Sequence, residues 1–239
     1  MIEHFQEIPD VIALFLNGSV AVGTEHETSD LDGIAVVTQA FYDEKEKAGK
    51  TCESIWGKCA YEGGYFDIHY KTKEELQRLA ASGSEPMRNM FFKARTLYTQ
   101  DPEVPAIVEK IPNFQKAEVA AKQLTYYCTF KQSYSYYLAI CNPTGFSRLH
   151  TVSRLIFCLY RLILLENEIL FPSIRKVEQT VASAPNKPEQ IMEKCARLME
   201  SLTNEDALEL VKSYEAWTSF ELPTDFQFIS NHCVDPYEI

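Results

Sequence analysis

The chain has 239 residues, 46% of them hydrophobic, with 23 Lys+Arg against 34 Asp+Glu and a net charge of −11. At about 150 residues per domain this is one large or two small domains, with enough apolar material to bury a core, so disorder as a global description is excluded. A net −11 also argues against nucleic acid as a partner, because a broad grip on phosphates needs clustered Lys and Arg.

The charge is unevenly spread. Residues 1–112 carry a net −8, residues 113–176 a net +5 and residues 177–239 a net −8. The start of the chain lacks a basic segment followed by an apolar run, so no signal peptide is expected. The most apolar stretch, Leu155–Leu165, is too short to span a membrane and includes Arg161. It reads as a buried helix. Seven cysteines without a Cys-x-x-Cys pair point to reduced, mostly buried thiols in a cytoplasmic protein.

In chain order, Val11–Leu16 is a short apolar run that stops at Asn17-Gly18-Ser19. Gly33–Val37 is a second, placed after Ser29-Asp30-Leu31-Asp32. Asp43–Lys50 is a charged helix or loop. Tyr65–Tyr70 alternates about Asp67 with the period of two of a strand. Glu74–Ala81 is a short helix, and Asn89–Tyr98 a further strand closed by Gln100-Asp101-Pro102. Pro102, Pro105 and Pro112 mark a boundary.

The second half reads as helical. Leu124, Tyr127, Lys131, Tyr134, Leu138 and Cys141 recur at steps of three and four. Asn142-Pro143-Thr144-Gly145 stops that helix, and Arg148–Glu168 forms the next. Ser173 caps another, Pro188–Leu202 forms one more, and Asn204 caps a last helix to Thr218. The tail after Pro223 is expected to be irregular. The predicted fold class is α+β: a domain over 1–112 with a small mixed sheet, then an all-α helical bundle over 113–239.

The segment that carries chemistry is Gly18-Ser19, then Asp30-Leu31-Asp32, then Asp67 within Phe66-Asp67-Ile68. Carboxylates at i and i+2 on a strand share a face. A third carboxylate from a neighbouring strand would complete a set of hard oxygen ligands suited to Mg²⁺ and substrate phosphates. A glycine at a strand end lets backbone N–H groups approach a phosphate, and a serine adds a donor. Alone, Asp-x-Asp reads as a solvated turn; with the other two pieces it reads as a two-metal phosphoryl or nucleotidyl transfer site.

With Leu16-Asn17-Gly18-Ser19, Ser29-Asp30-Leu31-Asp32-Gly33 and Phe66-Asp67-Ile68, the chain resembles the nucleotidyltransferase superfamily of the DNA polymerase β type, including small bacterial antibiotic-type members. Lys93–Tyr98 resembles the strand that closes this domain in bacterial members. The resemblance implies that Asp30 and Asp32 hold two Mg²⁺ ions and Asp67 the catalytic one. It also implies that Gly18 and Ser19 bind the nucleoside triphosphate, with ATP the first expectation. Many small members have an Arg three residues after the Ser, where this chain has Val22.

The basic middle suggests a triphosphate clamp. Lys131 lies in a stripe of Tyr and Leu, His150, Arg154 and Arg161 fall on one helix face, and Arg175-Lys176 follow a break. Arg154 and Lys131 rank first, then Arg161 and Lys176. The alternative is that these side chains snorkel and pair with acids nearby. The Tyr126–Tyr137 aromatics read as core, and His69 as a structural histidine.

The expected function is Mg²⁺-dependent transfer of a nucleoside monophosphate from an NTP to a hydroxyl of a small-molecule acceptor, with an aminoglycoside-like molecule as the candidate. A protein or RNA acceptor, and a non-catalytic nucleotide-binding or regulatory module on the same fold, stand as alternatives.

Overall fold

The computed structural model describes residues 1–59 and 61–233 and forms two units, Met1–Asn113 and one beginning at Phe114. The first unit is α+β. A short helix α1 (Ile2–Gln6) leads into β1 (Val11–Leu16), a five-residue helix α2 (Gly18–Val22) and β2 (Leu31–Val37). Helix α3 (Gln39–Lys47) and the hairpin β3 (Cys52–Trp56) and β4 (Tyr65–Lys71) follow. Then come α4 (Lys73–Ser82), α5 (Glu85–Asn89), β5 (Arg95–Thr99) and α6 (Glu103–Val108).

The five strands form one mixed sheet in the order β3-β4-β2-β1-β5. β2 and β4 run parallel, and every other pairing is antiparallel. Burial explains the order. β1 and β2 are buried almost throughout and take the centre, where both faces are covered. β4 alternates strictly between half-buried and buried residues, so only its Phe66, Ile68, Tyr70 face is fully covered. One face of the sheet packs Ala13, Phe15, Ile34 and Val36 against Leu76, Phe91, Val104 and Val108. The other packs Leu14, Ala35, Val37, Phe66 and Ile68 against Phe5.

Several helix starts follow from local chemistry. Thr72 and Glu75 form a reciprocal capping box at α4: the Thr72 hydroxyl accepts from Glu75 N–H, and the Glu75 carboxylate accepts from Thr72 N–H. Thr38 caps α3 through Phe41 N–H. The expected strand over 89–98 is half right: Pro86 at the helix start sets α5, and the strand is confined to Arg95–Thr99. β3 and α1 are additional to the expectation.

The second unit is helical: α7 (Val119–Gln132), α8 (Gly145–Glu166), α9 (Ile174–Ala182), α10 (Ile191–Ser201), α11 (Asn204–Trp217) and α12 (Phe226–Asn231). α7 continues without a break into a π-helical turn, Ser133–Cys141. Thr129 and Ser133 each donate a side-chain hydrogen bond to the carbonyl four residues back, loosening the regular ladder there. The π winding rotates the stripe out of phase, so Leu138 stays buried while Cys141 is exposed. The helix then ends at Asn142 in the left-handed region, ahead of Pro143.

Residues 155–165 of α8 are buried nearly all round, as the apolar run requires. The cap of α11 is Thr203, which accepts from Asp206 N–H, and Asn204 is the first helical residue. The tail contains α12, capped by Asp225; residues 234–239 lie outside the described part. The thiols are less buried than expected: Cys128, Cys158 and Cys195 are buried, but Cys52 and Cys141 are exposed. Burial raises Cys158 and Cys195, each to about 12, so both are inert at neutral pH. Among the described residues, no helix is long and apolar enough to cross a membrane.

Candidate functional site

The sheet converts three separated aspartates into one cluster. In the parallel ladder Asp32 of β2 stands beside Asp67 of β4. Residues side by side in a ladder project to the same face, so these two carboxylates meet by register. Asp30 precedes β2 by one residue and lies two positions before Asp32. Asp30, Asp32 and Asp67 each offer a carboxylate oxygen, and these lie within 4.8 Å of one another. All three residues are half-buried. They are the one group of three or more such ligand atoms found among the described residues. On the other side of Asp67, Ser54 of the edge strand β3 is its antiparallel partner.

The turn after β1 fits against this cluster. Asn17 N–H donates to the Asp32 carbonyl, joining the end of β1 to the start of β2. Gly18 follows with φ +68°, the left-handed region that glycine enters at no steric cost. A Cβ at Gly18 would stand 1.8 Å from Asp32 Oδ2. No side chain fits there, so the glycine is required twice, by its dihedral and by the carboxylate pressed against it. The buried side chain of Asn17 leaves Oδ1 without a hydrogen-bond partner beside the same turn. Buried polar atoms of this kind are rare and mark places where another group binds.

These observations fit a hard divalent cation. The donor set consists of carboxylate oxygens. Like charges this close repel unless a cation is shared between them. The glycine cradle also keeps side-chain bulk away from Asp32. Ser19, on the first turn of α2, is half-buried next to the cradle; its carbonyl accepts from Gly23 and Thr24 N–H.

Two tyrosines not singled out from the sequence complete the surroundings. Tyr65 Oη donates to Asp30 Oδ2 at 2.9 Å. Its ring stacks on Trp56, its ladder partner, with centroids 4.3 Å apart. The hydrogen bond to Asp30, and then its charge, hold the Tyr65 phenol above its ordinary pKa, so it stays a donor. Tyr61 Oη donates to the Ser29 carbonyl at 2.5 Å. The signal for Tyr65 was present: it lies two residues before Asp67 on the same face of an alternating strand. His69, two residues after Asp67, contacts Cys52 Sγ through Nδ1 at 3.0 Å, and burial lowers its pKa.

The cations expected to form a clamp all lie in the helical unit, in different surroundings. Lys131 is ion-paired to Glu215 at 2.6 Å, and Tyr127 donates to the same oxygen. Arg161 is buried, its guanidinium 4.8 Å from the Tyr126 ring and 4.3 Å from the Phe171 ring. Arg154 lines an open cavity of about 630 Å³ with His150, Phe157 and Glu178. Lys176 is exposed on α9. The shared face expected for His150, Arg154 and Arg161 therefore divides. The outer turn opens to the cavity, while the inner turn is closed over by Tyr126 and Phe171.

No protein-family model matches the sequence, and no curated protein matches it. Among solved structures, the chain is similar to a nucleotidyltransferase-like protein from Exiguobacterium sibiricum 255-15, with 9% identity and a TM-score of 0.42, over 90% of this chain and 73% of that one. It is also similar to the spectinomycin adenyltransferase AAD(9) from Enterococcus faecialis, determined with ATP and spectinomycin, with 14% identity and a TM-score of 0.35, over 90% of this chain and 96% of that one.

Proposed function

We propose that this protein is a divalent-metal-dependent nucleotidyltransferase, moving a nucleoside monophosphate from ATP or another NTP to a hydroxyl of a small-molecule acceptor. The observation that carries the reading is the convergence of Asp30, Asp32 and Asp67 within 4.8 Å, beside a glycine cradle that admits no Cβ. In this reading Asp30 and Asp32 hold two Mg²⁺ ions and Asp67 holds one of them. Bound Mg²⁺ supplies Lewis-acid stabilisation of the charge that develops on the phosphoryl oxygens.

The rest falls to the chain. Gly18 and Ser19 bind the triphosphate, with Gly18 giving phosphate close access to the backbone. The acceptor hydroxyl gives up its proton to water as its oxygen forms a bond to the α-phosphorus, the bond from that phosphorus to the bridging oxygen breaks, and pyrophosphate leaves with the electron pair. Lys131 and Arg161 are proposed to serve the bundle, given their partners there.

The test is pyrophosphate release with each NTP, Mg²⁺ and a panel of acceptors that includes cationic polyols. The expected result is release that needs an acceptor and disappears in Asp67→Asn. NTP binding without turnover across the whole panel would overturn the reading in favour of a regulatory module.

A further inference from the structure

Asp32 and Asp67 are held by the ladder: they pair with each other, Asp67 pairs also with Ser54 of β3, and the Asp32 carbonyl accepts from Asn17 N–H. Asp30 is not. It lies before the first residue of β2, at the end of the exposed segment 23–28 that follows α2. Among the described residues no ladder pair holds its backbone, yet its carboxylate meets the other two. What reaches it comes from the β3–β4 hairpin. Tyr65 Oη takes one lone pair of Asp30 Oδ2, and Tyr61 Oη binds the carbonyl of the preceding residue, Ser29.

Both tyrosines are themselves braced. Tyr65 is the first residue of β4, where it pairs with and stacks on Trp56. Tyr61 lies over Gly64, where a Cβ would stand 2.5 Å from the Tyr61 ring. Ser29 adds a local tie: its hydroxyl accepts from His26 N–H, and its N–H donates to the His26 carbonyl. The two phenols therefore grip two consecutive residues of one loop from one hairpin.

We propose that Tyr65 and Tyr61 are positioning residues that hold Asp30 in the carboxylate cluster, so that the divalent-cation site is assembled before the cation arrives. A carboxylate offers about four lone-pair directions, and a phenol occupies one of them. Tyr65 can thus orient Asp30 and leave the remaining oxygen positions for metal. Without it, Asp30 has to be ordered when the ion binds, and that conformational cost lowers metal affinity. Groups that orient a metal ligand in this way typically contribute about 10- to 100-fold in affinity.

The inference rests on the metal-binding reading proposed above, and the experiment separates the two. Mn²⁺ binding to the full chain is followed by the electron paramagnetic resonance signal of the free ion, without nucleotide. Circular dichroism and Tm are measured in parallel for the wild type, Asp67→Asn, Tyr65→Phe and Tyr61→Phe. Tyr65→Phe keeps the ring and its stacking on Trp56 and removes only the donor.

The expected result is an Mn²⁺ Kd about 10-fold weaker in Tyr65→Phe, a smaller weakening in Tyr61→Phe, and an unchanged Tm in Tyr65→Phe. An Mn²⁺ Kd in Tyr65→Phe equal to that of a wild type which does bind, with binding lost in Asp67→Asn, overturns the positioning role alone. So does a fall in Tm with no change in Kd. Absence of Mn²⁺ binding in the wild type, or undiminished binding in Asp67→Asn, overturns the metal-binding reading and this inference with it.

Discussion

The sheet unit and the helical unit treat their charged residues in opposite ways. In the sheet, Asp30, Asp32 and Asp67 are drawn from positions up to 37 residues apart into one half-buried cluster. In the helices, Lys131 is engaged by Glu215 and Arg161 is closed between two rings, while Arg154 faces a cavity and Lys176 faces solvent. The difference lies in what spacing determines. A strand has a period of two and a neighbour at a fixed distance, so one register places every pair. A helix has a face, but the depth of burial along that face depends on what crosses it. The lesson is that a carboxylate pattern on strands points to a site more directly than a cation pattern on helices.

The largest expected effect attacks the cluster itself. Asp67→Asn is isosteric and keeps the ladder pairing with Asp32, so it isolates the charge. We expect a loss of about a thousandfold in pyrophosphate release, on the order of 4 kcal/mol of transition-state stabilisation. Thermal unfolding of the metal-free protein should show a Tm no lower than the wild type, because one of three crowded carboxylates has been neutralised. Loss of activity together with a large drop in Tm would mean that the aspartate serves the fold.

Next in size is Gly18→Ala. The substituent would sit 1.8 Å from Asp32 Oδ2 on a residue at φ +68°, so either the turn or the carboxylate must move. Misplacing a metal ligand by an ångström can cost about a hundredfold in rate. The expected outcome is a loss of that order, with the conformational strain itself costing about 1 kcal/mol of stability. Wild-type kcat/KM in this variant would show that the turn and Asp32 do not act together.

On the helical side the sign reverses, and Arg161→Leu is the probe. The buried guanidinium lies against Tyr126 and Phe171, so its loss should be read in folding, at about 2 kcal/mol in chemical denaturation. The KM for ATP should not move. A raised KM with unchanged stability would return Arg161 to the triphosphate and erase the contrast between the two units.

Much of this was legible in the sequence, unevenly. The strands β1 and β4 and the buried α8 were plain, because Val11–Leu16, the alternation about Asp67 and Leu155–Leu165 each carry their own period. The edge strand β3 was not: Cys52–Trp56 is half-buried to exposed, so no apolar run announces it. Gly18, Asp30, Asp32 and Asp67 could be singled out as chemistry, and their spacing suggested a shared face. Their convergence also needed the parallel pairing of β2 with β4, which joins strands 28 residues apart and leaves no local mark. Tyr65 shared a strand face with Asp67, but that pattern did not show that it meets Asp30, and Tyr61 carried no such mark. The phase of the α7 stripe was lost at Ser133, where hydroxyls bonding back to the helix carbonyls introduce a π turn that residue spacing does not show.

The smallest effect tests how the edge strand that supports Trp56 is held to the sheet unit. Lys45 of α3 reaches Glu53 of β3 at 2.5 Å and lies 4.6 Å from the centroid of the Tyr70 ring on β4. The hydrogen bond from Lys45 holds the Glu53 carboxyl below its ordinary pKa. A carboxylate whose pKa is lowered on folding adds stability at pH values above its unfolded pKa, near 4.3, and that stability is lost as pH falls through the lower folded value. Both side chains are about a quarter exposed, so the gain is screened and amounts to less than about 1 kcal/mol. Denaturation at pH 6 and pH 3 should therefore show the wild type exceeding Glu53→Gln slightly at pH 6, with the two converging at pH 3. A difference that persists at pH 3 would assign the contribution to packing of the side chain instead of its charge. In that case the backbone ladder and side-chain packing fasten β3 to β4, and the Trp56–Tyr65 stack beside the aspartates does not depend on the protonation of Glu53.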